Sequence, residues 1–230
     1  LIQSIIPVNA EAKNLIMVTS HGVVKKSKLQ DFDNLRANGL IAIRLAKGDR
    51  LVSVKATAGS DNALIITKKG KSIRFPESNV RPMGRATSGV KGMTLEEGDE
   101  IIGLEVFPEK EATTPDKRRK VFRDILTISE KGLGKRTPIH LFPTQKRAGK
   151  GVKAATVTPK TGDLQAAILV DQTMTQIVIT SKHGQIIKLP LKNIPQLGRS
   201  TQGVIIMRFA NKGDSVAAVT TLVRQDEQEE

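Results

Sequence analysis

Strand-length apolar runs and polar turns alternate along this chain in four successive rounds. Each round opens on a run rich in β-branched residues: Leu15-Ile16-Met17-Val18, Leu64-Ile65-Ile66, Ile125-Leu126-Thr127-Ile128 and Ile177-Val178-Ile179. That is the composition of a β-strand. Polar residues and a glycine follow, at Gly22, Gly70, Gly132 and Gly184, and glycine supplies the positive φ that a tight hairpin requires. A returning strand comes next, as in Val23-Val24-Lys25-Lys26 and Gln185-Ile186-Ile187-Lys188. After a longer connection a second glycine (Gly39, Gly89, Gly151, Gly203) starts a third apolar run, such as Leu40-Ile41-Ala42-Ile43. Gly-Asp at 48–49, 98–99, 162–163 and 213–214 then turns the chain into a fourth. Four strands in a unit of about fifty residues is the pattern of a propeller blade. No amphipathic helix of convincing length interrupts it, so the chain reads as all-β.

These rounds predict repeats at approximately 11–58, 59–107, 122–170 and 174–223, in one domain over 1–223 with an insert loop at 108–121 and an acidic tail at 224–230. Leu1 to Val8 reads like the closing strand of a blade whose other strands are missing. The insert holds Lys117-Arg118-Arg119-Lys120, a charge run better explained by a solvated loop than by a binding contact.

Basic residues recur in phase with the scaffold. The fourth residue after each first glycine is Lys26, Arg74, Arg136 or Lys188, and an arginine precedes each second glycine: Arg36, Arg85, Arg147 and Arg199. The overall charge gives this recurrence weight. The 230 residues carry a formal net charge of +14, a self-repulsion that a polyanionic partner usually explains. A basic surface serving solubility alone, on a propeller that scaffolds other proteins, is the competing reading.

Tyrosine and tryptophan are absent, and the six phenylalanines sit beside β runs where a core role is the default. Aromatic platforms for single-stranded bases are therefore not expected, and a phosphate backbone is the better target. Cysteine is absent too, which excludes disulfides and thiolate chemistry and fits a reducing cytoplasm. No apolar run approaches the roughly 18 residues of a membrane helix.

Catalysis finds little support. There is no tyrosine to serve as a phenolic nucleophile and no Gly-x-x-x-x-Gly-Lys-Ser/Thr phosphate loop. His21 and His183 occupy equivalent turns, His140 lies in another register, and none forms a convincing site. The recurring Asp49, Asp99, Asp163 and Asp214 follow turn glycines and suit turn chemistry better than paired-carboxylate catalysis.

Several passages together resemble one family. They are Val23-Val24-Lys25-Lys26 with Asn38-Gly39-Leu40-Ile41-Ala42-Ile43, Ser78-Asn79-Val80-Arg81-Pro82-Met83-Gly84-Arg85, Gly134-Lys135-Arg136-Thr137 and Gly198-Arg199-Ser200-Thr201-Gln202-Gly203-Val204. In the same blade order they look like the C-terminal domain of the DNA gyrase A protein, with the topoisomerase IV counterpart as a close alternative. The resemblance implies a β-pinwheel whose blades exchange strands, here about four blades plus a strand of a preceding one. It also implies a basic rim for double-stranded DNA, bent or wrapped in support of negative supercoiling.

On that resemblance the DNA-binding set is Lys25, Lys26, Arg36, Arg74, Arg85, Lys135, Arg136, Lys146, Arg147, Lys150, Lys188 and Arg199. Gln145-Lys146-Arg147-Ala148-Gly149-Lys150-Gly151 comes near the family's glycine-rich basic signature. It falls in the third repeat, where it reads as the ordinary repeat loop, with the signature itself expected upstream of Leu1. The resemblance further implies partners in the rest of gyrase A and in gyrase B, a bacterial cytoplasmic, nucleoid-associated setting, and no cofactor in this chain. ATP and magnesium would belong to the holoenzyme. The acidic end is similar to tails that compete with DNA for the basic surface.

Overall fold

In a computed structural model, residues 4–8, 10–34, 39–109 and 122–223 are described. Arg36, the charge run of the insert and the acidic tail lie outside the described residues.

The described chain is built of strands. The first repeat supplies β1 (Asn14–Thr19), β2 (Val23–Lys28) and β3 (Leu51–Thr57). The second gives β4 (Asp61–Thr67), β5 (Lys71–Pro76), β6 (Val90–Lys91) and β7 (Ile101–Pro108). The third gives β8 (Arg123–Ser129), β9 (Leu133–Pro138), β10 (Val152–Lys153) and β11 (Leu164–Asp171). The fourth gives β12 (Met174–Ser181), β13 (Ile186–Pro190), β14 (Val204–Ile205) and β15 (Val216–Val223). All four opening runs become strands, paired antiparallel with the strand that returns from the glycine turn.

Sheet and repeat are not the same unit. Three sheets have four strands, in the orders β3-β1-β2-β6, β7-β4-β5-β10 and β11-β8-β9-β14. In each of these the outermost strand comes from the following repeat. The fourth sheet, β15-β12-β13, has three strands. Leu40 to Ile43, the corresponding run of the first repeat, forms no strand. Nor do residues 4–8, and Ile5 and Val8 stay exposed. The described part of the expected closing strand, residues 4–8, is thus corrected, and Leu1 to Gln3 lie outside the described residues.

The donated strands are only two residues long, so their seating depends on close backbone approach. Val90 faces Val24 and Val204 faces Gly134. A Cβ on Gly203 would lie 2.5 Å from the Gly134 carbonyl oxygen, and one on Gly89 2.7 Å from that of Val24. No other residue fits there.

The residues form two compact units, Leu1–Thr113 with Phe142–Val152, and Thr114–Leu141 with Lys153–Glu230. The first is cored by Ile16, Val24, Ile65, Ile73, Phe75, Met93 and Leu104, the second by Leu126, Ile128, Ile177, Ile179, Ile194 and Met207. Burying each such side chain contributes about 1.5–3 kcal/mol.

The Gly-Asp aspartates staple hairpins. Asp49 accepts from the Ser20 hydroxyl (2.8 Å) and the His21 and Arg50 amides. Asp214 does the same for Ser181, His183 and Ser215. Burial pushes the Asp49 carboxyl up, but the hydroxyl and amide donors outweigh it and hold it below the usual carboxylate range. No cluster of three or more metal-ligating side chains occurs among the described residues. No helix among them is long and apolar enough to cross a membrane.

Candidate nucleic-acid interface

Five of the basic residues singled out by sequence face inward. Lys25 on β2 is fully buried, and its ammonium donates to the carbonyls of Ala42 (2.6 Å) and Arg85 (2.7 Å) and to the Ser27 hydroxyl (2.8 Å). All three of its protons therefore have acceptors, which is what a buried ammonium requires. Lys135 on β9 is its counterpart. It too is fully buried and donates to the carbonyls of Gly198 and Arg199, each at 2.7 Å. Burial, aided by the nearby Arg199 charge, pushes the Lys135 ammonium down to about 8.

The next residue along each strand is also committed. Lys26 lies 3.4 Å from the Glu77 carboxylate and donates to the Glu77 carbonyl at 2.8 Å. Arg74 donates to Asn62 and to the Phe142 carbonyl and stacks over the Phe107 ring. Arg136 donates to the Ile194 carbonyl at 2.9 Å and to Asp124 at 3.1 Å, and stacks over Phe122. Gln196 holds the other side of Asp124. Burial, the main influence, leaves the Asp124 carboxyl above its usual range despite Gln196 and Arg136.

The expectation that Lys25, Lys26, Arg74, Lys135 and Arg136 meet DNA is therefore corrected. Lys26 and Arg136 pair with the Glu77 and Asp124 carboxylates, and Lys25, Arg74 and Lys135 direct their ammonium or guanidinium groups to carbonyl and side-chain oxygens inside the fold. These residues instead tie each returning strand to the following repeat, as the bridges Lys26 to Pro82, Arg74 to Thr144 and Arg136 to Gln196 also record. Lys188, at the same place on β13, is exposed.

Arg85, Arg147 and Arg199, which precede second glycines, are half-buried and braced differently. Arg147 donates from Nη1 to the Lys91 carbonyl and from Nε to the Asn79 carbonyl. Arg199 donates to the Lys153 carbonyl at 2.8 Å. Each guanidinium thus grips the backbone of a donated strand and keeps further N–H groups unspent. The Arg85 carbonyl is held by Lys25.

The described residues of the predicted set that do not face inward, joined by Lys91 and Lys153 of the donated strands, sit on loops, on those strands and on β13: Lys91, Lys146 and Lys150 with half-buried Arg85 and Arg147 in the first unit, Lys153 and Lys188 with half-buried Arg199 in the second. None of them has a carboxylate partner among the described residues. Lys91 and Lys153 escaped the sequence reading. Their signal was there, as a lysine two places beyond the second glycine in Gly89-Val90-Lys91 and Gly151-Val152-Lys153.

Blades that share strands, with lysine on two of the shared strands and arginine on the connections before them, define a basic, propeller-type repeat protein. The sequence matches the family described as DNA gyrase C-terminal domain, beta-propeller, over residues 13–58, 61–108, 123–171 and 175–222. This chain belongs to the DNA gyrase C-terminal domain family. It is 38% identical over 221 residues to the DNA gyrase A protein of Staphylococcus aureus (strain MRSA252), covering 96% of this chain and 24% of that protein. Among solved structures, the C-terminal domain of DNA topoisomerase IV superposes with a TM-score of 0.81 at 24% identity, over 95% of this chain and 65% of the other. The DNA gyrase A C-terminal domain gives 0.76 at 24% identity, over 93% and 67%.

Proposed function

We propose that this chain is a non-catalytic binding domain for double-stranded DNA in a bacterial type II topoisomerase, and that it bends or wraps the duplex through phosphate contacts. The observation that carries this reading is the set of exposed Lys91, Lys146, Lys150, Lys153 and Lys188 with half-buried Arg85, Arg147 and Arg199, which lacks carboxylate partners among the described residues. Lysine and arginine at phosphates release counterions, with a log–log salt slope of about −0.9 per contact. A set of this size predicts that affinity falls about 10³- to 10⁵-fold between about 50 and 200 mM salt. Smooth bending of 20–30 base pairs costs about 1–6 kcal/mol, so several such contacts are needed to offset it.

The 38% identity to gyrase A favours gyrase over topoisomerase IV as the parent enzyme. Its partners would then be the rest of gyrase A together with gyrase B in the bacterial cytoplasm, at the nucleoid. ATP and magnesium would act elsewhere in the holoenzyme. The domain's own task would be to support negative supercoiling by presenting a curved path to DNA.

Ligating a nicked plasmid with increasing amounts of the domain, then stripping the protein, tests the reading. A stoichiometric change in linking number is expected. Salt-sensitive binding with no linking change reduces the function to bending, and no salt-sensitive binding overturns it. Charge reversal at Arg85 and Lys146 is expected to weaken binding and flatten the salt slope.

A further inference from the structure

Three described connections carry an arginine before a second glycine, and they fall into two kinds. Gly84-Arg85-Ala86-Thr87 and Gly198-Arg199-Ser200-Thr201 read alike, whereas the third is Lys146-Arg147-Ala148-Gly149. The strands they pack against differ in step with them. Three residues after the first glycine stands Lys25 for the Arg85 connection, Lys135 for that of Arg199, and Ile73 for that of Arg147.

Both lysines reach the arginine backbone itself. Lys25 donates to the Arg85 carbonyl and to the Ser27 hydroxyl, which in turn donates to the Met83 carbonyl at 2.8 Å. Lys135 holds the Gly198 and Arg199 carbonyls together, and the Thr201 hydroxyl shares the Gly198 carbonyl at 2.8 Å. Thr87 does the same at the Gly84 carbonyl, at 2.9 Å. Ile73 has no proton to offer, and the connection over it takes another form. Ala148 adopts the left-handed backbone, φ 70, and a Cβ on Gly149 would lie 3.6 Å from Ile73 Cδ1. That connection also adds exposed Lys146 and Lys150, where the others have Gly84 and Ser88 or Gly198 and Gln202.

Burying an ammonium is costly unless its protons find acceptors. Ile73 fills the same place by apolar packing in the core of the first unit, so the fold does not require an ammonium there. What sets the two lysine sites apart is the arginine carbonyl that each holds. We propose that Lys25 and Lys135 are positioning residues for DNA, fixing the backbone of Arg85 and Arg199 so that each guanidinium meets phosphate already ordered. Arg147 relies instead on the added charge of Lys146 and Lys150. The proposal rests on the DNA-binding reading above. An arginine ordered in advance avoids an immobilisation cost worth about 2- to 10-fold in affinity.

Anisotropy of a mixed-sequence duplex with the full chain, over a salt series and corrected for the fraction folded, gives affinity and slope separately. Lys135→Met is expected to weaken binding about 2- to 10-fold with the slope unchanged, because no phosphate contact is removed. Arg199→Gln is expected to lower the slope by about 0.9. In the double variant the loss due to Lys135→Met should vanish, since no guanidinium remains to be positioned. Lys25→Met with Arg85→Gln repeats the cycle in the first unit. If a buried variant does not fold, Thr201→Ala, at an exposed position, takes its place in the cycle with Arg199→Gln. Unweakened binding, additive losses, or a slope flattened by the lysine substitution overturns the positioning role while DNA binding stands. An unaltered chain without salt-sensitive binding overturns the DNA reading itself, and this proposal with it.

Discussion

Lys25 and Lys91 belong to the same unit, recur with the same scaffold, and end in opposite surroundings. Lys25 is sealed among three acceptors, while Lys91 offers its ammonium to solvent and lends only its carbonyl, to Arg147. Lys135 and Lys153 repeat the contrast in the second unit. Recurrence therefore marks a position the unit needs, without saying whether the need is internal or external. Burial on a strand flanked on both sides turns a charge into a brace. The same charge on a two-residue outer strand stays available.

Glu77 is where this contrast is most exposed to refutation. Its buried carboxylate accepts from Thr57 (2.8 Å), from the amides of Gly59 and Asp61, and pairs with Lys26. Glu77→Ala strands a buried ammonium and is expected to lower stability by about 3–5 kcal/mol, read from urea unfolding. A loss under about 1 kcal/mol would show that Lys26 behaves as a surface charge after all.

Lys135→Met comes next. Leaving the carbonyls of Gly198 and Arg199 without their donor costs about 1–3 kcal/mol, and the pH dependence carries the diagnostic sign. The folded-state value of about 8 lies below the ordinary 10.5, so between the two the unfolded chain binds more protons. Stability from this group is therefore lowest below about pH 8 and rises as pH climbs toward about 10.5. Lys135→Met should lack that rise. Parallel profiles for the two proteins would refute a buried, charged Lys135.

Charge reversal on the outer face should have a smaller effect on folding and a larger one on DNA. Lys91→Glu and Lys153→Glu are each expected to reduce the salt slope by at least about 0.9 while stability stays within about 0.5 kcal/mol. Lys25→Met, corrected for the fraction folded, should leave the slope unchanged. Equal flattening by all three would erase the distinction between brace and contact. The smallest effect belongs to Lys188→Ala, expected within about 0.5 kcal/mol because the side chain is exposed. Lys26→Ala at the equivalent place should cost several times more.

The all-β class and the opening strands were legible because β-branched runs and turn glycines act within a few residues of each other. The turn role of Asp49 and Asp214 was legible for the same reason. Strand ownership was not. Leu40-Ile41-Ala42-Ile43 and Val204-Ile205-Ile206-Met207 read alike, yet only the second finds an acceptor, since pairing depends on what lies beside the segment. The buried partners of Lys25 and Arg136 were hidden too. Ala42, Arg85 and Ile194 are far along the chain and offer only backbone carbonyls, which no side-chain pattern reveals. Lys91 was hidden because its exposure follows from a two-residue strand paired with Val23 of the preceding repeat, which no local pattern shows.

The offset between repeat and sheet has an evolutionary side. A duplication that copies one repeat of the gene delivers three strands for its own sheet and one for its neighbour's, so the inherited segment is not self-sufficient. New members can be spliced in only where both flanking sequences already speak the same glycine-and-carbonyl code. A change at one acceptor, such as a side chain at Gly134, would be felt first in the strand that β14 contributes. Such an arrangement ties the divergence of each segment to the one after it, and selection acts on the seams between repeats as strongly as on the repeats.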